Sequence, residues 1–195
     1  MKGKNDDRFI FDEDVEDFVK NAVLKLDHFI PLDSIDAIVD ITPSRKPALT
    51  DVIRQQLVYE SGTISREFSL VKKAYKDVQF DVEKAIDALR KVGYTEQMID
   101  REIRFTISKF NDLKESDELF QMKRFVPVEL RTGFIDYIKF KTEDEKIVYK
   151  ELQGVNVLIF DGFYTSGSTV KEVIRYLKAI NNKNTLTIFI LIKQH

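Results

Sequence analysis

The chain has 195 residues, with 31 Lys and Arg against 33 Asp and Glu, and the net charge of −2 offers nucleic acid or a membrane surface no basic field. It contains no cysteine and two histidines, which excludes disulfides, thiolate catalysis and thiolate-held zinc and argues against a histidine-built metal site. Hydrophobic content of 43% fits a soluble globular protein of one domain, or one domain with an appendage. MKGKNDDRF has no apolar signal core and no run of about 18 apolar residues follows, so neither export nor membrane spanning is indicated and the expected location is the cytoplasm.

In chain order, Asp12–Asp27 reads as an amphipathic helix with acids in its first turn and Val15, Phe18, Val19, Ala22, Val23 and Leu26 on one face. Ile35–Ile41 is a short apolar run and the first core strand. Pro43–Pro47 breaks it, Leu49–Glu60 is helical, and Thr63–Lys73 alternates as a second strand. Asp81–Val92 has a stripe at Val82, Ala85, Ile86, Leu89 and Val92, with Gly93 as the residue past its end. Thr95 caps the next helix, whose stripe is Met98, Ile99, Ile103, Thr106, Phe110 and Leu113. Phe120–Phe125 reads first as core aromatics flanking a basic pair and second as a mobile flap. Phe125–Leu130 and Phe134–Phe140 have strand composition, and Lys141–Lys146 reads as a charged turn. Val155–Phe160 is a strand, Val170–Ile180 a helix and Thr185–Ile192 (TLTIFILI) a last buried strand. Strands alternating with helices predict an α/β fold, a mainly parallel sheet flanked by helices.

Val155–Val170, VNVLIFDGFYTSGSTV, carries the chemistry. An apolar strand ends in Asp161, a loop of hydroxyl residues follows, and Thr169-x-x-Glu172 has the form of a capping box. Amides at such a helix start, ringed by hydroxyls, make an anion cradle. Gly162-x-x-x-x-Gly167-Ser168-Thr169 nearly spells a Walker A loop, but Ser168 stands where the phosphate-binding Lys belongs. A polar strand-to-helix turn without a ligand is the plain alternative.

Apolar strand, acid, spacers and Thr165-Ser166-Gly167-Ser168-Thr169 resemble the ribose-phosphate signature of type I phosphoribosyltransferases, and more narrowly their ComF-like branch. The resemblance implies a Rossmann-like core over residues 35–195, with residues 1–34 and a helical insertion at about 79–120 as the hood that selects the acceptor. It implies binding of PRPP (5-phosphoribosyl 1-pyrophosphate), the 5-phosphate held by Thr165, Ser166, Gly167, Ser168 and Thr169, and Asp161 as the catalytic acid on a ribose hydroxyl. Pyrophosphate falls to the loop after the first strand, here Ser44, Arg45 and Lys46. Mg2+ is expected with PRPP, held by substrate rather than by protein ligands. The implied reaction transfers ribose 5-phosphate to a nucleobase or amine with release of pyrophosphate, and a homodimer is compatible with the family. The family has two adjacent acids where this chain has Asp161 then Gly162, with Asp136 a candidate replacement. A regulator or sensor that binds PRPP or a nucleotide without turnover is the alternative reading.

Overall fold

Strand and helix signals alternate along the chain and resolve into an α/β fold. The computed structural model describes residues 13–41, 49–62, 64, 66–122, 126–164 and 167–193. Its helices are α1 (Glu13–Phe29), α2 (Leu49–Ser61), α3 (Val82–Lys91), α4 (Glu96–Leu113), α5 (Glu143–Glu151) and α6 (Ser168–Ile180). Its strands are β1 (Ala37–Ile41), β2 (Arg66–Lys72), β3 (Gln79–Phe80), β4 (Phe134–Ile135), β5 (Ile138–Phe140), β6 (Asn156–Tyr164) and β7 (Thr185–Lys193). Five strands form a mixed, mostly parallel sheet in the order β5-β2-β1-β6-β7, and β3 and β4 form a separate antiparallel pair. β1 and β6 run parallel with Ala37 opposite Val157 and Asp40 opposite Phe160, whereas β5 is antiparallel to β2. The links β1-α2-β2 and β6-α6-β7 are the helical crossovers that parallel neighbours require. No helix among the described residues is long and apolar enough to cross a membrane.

The chain divides into two compact units: Met1–Ser69, Gln153–Phe163 and Lys183–Gln194 form one, Leu70–Leu152 and Tyr164–Asn182 the other. In the first, all five residues of β1 are buried, and Val19, Val23 and Leu26 of α1 join Ile38, Ile53, Leu57, Leu158 and Phe160 in one core. Val19, Val23 and Leu26 belong to the helical stripe read from sequence, whereas Phe18 of the same stripe is 50% exposed. Asn156 joins the strand start to the segment before β1, its N–H donating to Asp36 Oδ2 at 2.8 Å and its side-chain amide to Ser34 O at 2.9 Å.

The second unit is built on aromatics. Phe120 is fully buried among Tyr75, Phe110, Phe134 and Tyr137, with ring centroids 5.0–6.3 Å apart. It therefore belongs to the core, the first of the two readings of Phe120–Phe125; residues 123–125 lie outside the described residues. Asp81 and Thr95 cap α3 and α4 through the amides of Lys84 and Met98, and Gly93, at φ 86°, follows the end of α3. Gly133 lets α3 close on the segment before β4, because a Cβ there would sit 2.8 Å from the Ala85 Cβ and 2.9 Å from the Phe80 ring.

Three local expectations are corrected. β7, expected as a buried strand, is the edge strand of the sheet, with Ile188 39% exposed. Val128–Gly133 is a 3-10 turn rather than strand, started by Pro127, whose fixed φ suits a helical start. Lys141–Lys146 does not merely turn: Thr142 and Glu145 form a reciprocal capping box that opens α5. The far end of α5 is closed by buried Asn181, whose side-chain amide donates to the carbonyls of Tyr149, Lys150 and Leu152.

Candidate functional site

The strand of the motif is longer than its apolar run. β6 continues through Asp161 and Gly162 to Tyr164, so Asp161 lies within the strand instead of at its exit. In the same unit, Asp40 on β1 is 4% exposed and accepts a 2.7 Å hydrogen bond from Ser69 Oγ. Its register partner is Phe160, the residue before Asp161. A buried acid one position from the end of β1 was legible in sequence only as the polar residue of an apolar strand. Ser44, Arg45 and Lys46 lie outside the described residues, as do Thr165 and Ser166.

The start of α6 belongs to the second unit. Gly167 is its N-cap in the left-handed region (φ 69°, ψ 1°), a conformation glycine adopts without a Cβ penalty. Ser168 begins the helix and is buried, and Thr169 is its second residue and half-buried. The Lys171 N–H donates to the Gly167 carbonyl at 2.9 Å. Amides of the preceding turn have no carbonyl behind them in any helix, and α6 has no side-chain cap and no acid in its first turn. The Thr169–Glu172 capping box is thus corrected: glycine takes the cap, and Glu172 turns elsewhere.

Glu172 is buried and holds the turn between β4 and β5. Its Oε1 accepts the Asp136 N–H at 2.6 Å, and both its oxygens meet the Arg175 guanidinium at 2.7 Å. That bidentate bond to Glu172 raises the Arg175 pKa above its already high ordinary value, against a smaller opposing effect of burial. Asp136 is at φ 58°, rare for a residue with a side chain, and its carboxylate binds Lys73 at 2.9 Å and Arg175 at 3.7 Å. The candidate replacement for the second acid is therefore engaged with two cations of its own unit.

Against α6 opens a cavity of about 130 Å3, lined by Lys84, Arg131, Thr132, Phe134, Ile135, Ser168, Lys171, Glu172 and Arg175. Four cations face one carboxylate that is already bound, so the lining suits an anion and does not fit a metal ion. Among the described residues no group of three or more acidic or imidazole side chains is placed to hold a metal.

No family model matches the chain, and no curated protein matches it. Among solved structures, a hypoxanthine phosphoribosyltransferase from Staphylococcus aureus, in tetragonal and orthorhombic crystals, is similar over 92% of this chain at 12% identity, with TM-scores of 0.46 and 0.45. The chain spans 65% of that protein's length. Likeness of this degree leaves the functional argument with the chain's own residues.

Proposed function

We propose that the protein binds PRPP and transfers its ribose 5-phosphate to a nucleobase or amine. The observation that carries the reading is the start of α6: a left-handed glycine cap, no side-chain cap, no first-turn acid, and the sequence Thr165–Thr169 leading into it. The dipole and N-terminal amides of a helix start favour a phosphate dianion, and the loop hydroxyls add donors. In the reaction, the bond from the ribose anomeric carbon to pyrophosphate breaks and the leaving oxygen keeps the electron pair. The acceptor nitrogen then bonds to that carbon, and its proton passes to solvent. No protein nucleophile is needed, so the work of the chain is positioning and charge stabilisation. Asp161 is assigned to a ribose hydroxyl, and Arg45 and Lys46 to pyrophosphate; magnesium travels with the diphosphate.

Gly162 supports a second reading. Without the second acid, ribose is gripped by one carboxylate, which suits a sensor that binds PRPP or a nucleotide without turnover. Calorimetry with PRPP and Mg2+, followed by an assay for pyrophosphate release with a panel of nucleobases and amines, separates the two. Asp161→Asn removes a charged acceptor and should weaken PRPP binding by roughly 10- to 150-fold, the equivalent of about 1.5–3 kcal/mol. Parent protein that fails to bind PRPP at millimolar concentration refutes the transferase, and failure to bind a nucleotide as well refutes the sensor; binding without pyrophosphate release selects the sensor.

A further inference from the structure

The cavity against α6 holds cations that the ribose-phosphate reading does not use. Its walls come from segments far apart in sequence: Lys84 on α3, Arg131 and Thr132 on the 3-10 turn, and Lys171 and Arg175 on α6. Two of these cations are committed, Arg175 to Glu172 and Asp136, and Lys84 to Asp81 at 3.3 Å. The other two form no ion pair among the described residues, although Glu172, already held by Arg175, shares the cavity wall. Arg131 spends only its Nε, on the Val126 carbonyl at 3.3 Å, and Lys171 has no ion pair. Thr132 adds an independent sign, because its hydroxyl is buried without a hydrogen-bond partner. A buried hydroxyl left unpaired is costly, and a ligand oxygen in this cavity would give it a partner.

We propose that this cavity is a second anion site, which takes a phosphoryl group through Lys171, Arg131 and Thr132. Its volume of about 130 Å3 is roughly ten times the ~10–15 Å3 that admits one water, so a phosphoryl group fits. Arg131 can fork two oxygens, Lys171 supplies a point charge, and a tetrahedral dianion matches both where a carboxylate would leave one unmatched. Phe134 and Ile135 give the carbon frame of a sugar an apolar floor. The cavity adjoins the Thr165–Thr169 loop, because Ser168 is part of its wall, but Arg131 and Thr132 come from the 3-10 turn and do not belong to that loop. It stands whether or not that loop binds PRPP.

The test is amide chemical shifts of the full 15N-labelled chain, titrated with inorganic phosphate and separately with ribose 5-phosphate. Saturable shifts are expected at Thr132, Ile135 and Lys171. R131Q/K171Q should weaken phosphate about tenfold for each lost charge, or about a hundredfold together. T132V should weaken it several-fold with no change in charge, which keeps the test alive if the double variant folds poorly. K178Q, removing an exposed α6 cation outside the cavity, should leave these shifts intact. Tighter binding of ribose 5-phosphate marks a phosphorylated sugar as the ligand, and equal affinities mark the phosphoryl group alone. Equal affinity in parent and R131Q/K171Q, or shifts confined to Gly167–Thr169, would overturn this site while leaving the PRPP reading in place.

Discussion

Glu172→Ala should be one of the most damaging single changes in the second unit. The parent carboxylate makes three short charge-assisted bonds from a buried position, two to Arg175 and one to the Asp136 N–H. Truncation removes one buried methylene, about 0.8 kcal/mol, and leaves an amide unpaired, about 1–3 kcal/mol. Arg175 is 44% exposed, so its lost fork is largely rehydrated and adds up to about 1 kcal/mol. The sum is about 2–5 kcal/mol, which corresponds to roughly 5–15 °C in melting temperature for a chain of this length. Glu172→Gln should fall between parent and Ala, because its carbonyl oxygen still accepts the Asp136 N–H while its amide opposes Arg175 donor to donor. Urea melts followed by circular dichroism and intrinsic tyrosine fluorescence supply the three free energies. An Ala variant within about 0.5 kcal/mol of the parent, or a Gln variant as damaged as Ala, would refute the argument that this carboxylate fixes the β4–β5 turn.

Gly133→Ala should destabilise by about 1–3 kcal/mol, because the added methyl meets the Ala85 Cβ at 2.8 Å and neither backbone segment can yield cheaply; a neutral or stabilising result in thermal melts would mean the α3 contact is loose. Thr142→Ala removes the capping box of α5 and should cost about 1 kcal/mol, with increased amide exchange confined to the first turn of that helix; uniform exchange would contradict it. The Asp81 carboxyl is held below its ordinary range, chiefly by the Lys84 backbone N–H and then by the Lys84 ammonium. Its folded pKa lies below the unfolded one, so its stabilisation is complete above the usual carboxyl range and is lost as pH falls through the folded value. The stability gap between parent and Asp81→Asn should therefore shrink below about pH 4, and a gap independent of pH would contradict the assignment.

What sequence alone settled is what local physics settles. Thr95, Asp81 and Gly93 each act on the few residues beside them, and the stripes of α1, α3 and α4 follow from 3.6-residue periodicity, so the elements were readable in place. The α/β class followed from the alternation of elements. α5 was legible too, in Thr142 and Glu145, but its apolar stripe is thin, with Ile147 and Val148 largely exposed and Tyr149 buried, and the charge of the segment hid the cap. The 3-10 turn at Val128–Gly133 escaped because valine and phenylalanine composition outweighed the signal of Pro127.

Tertiary structure decided the rest, because the partners are remote in sequence. Glu172 looks like the end of a capping box until Asp136, 36 residues earlier, turns its amide toward it. Gly167 at φ 69° takes the cap that Thr169 was expected to provide, and no residue pattern specifies which of two adjacent small residues will bend into the left-handed region. Lys84, Arg131 and Lys171 are ordinary surface cations one by one. Only the packing of α3, the 3-10 turn and α6 around one cavity sets their charges together, and electrostatic strength depends on that distance, which a sequence does not encode locally.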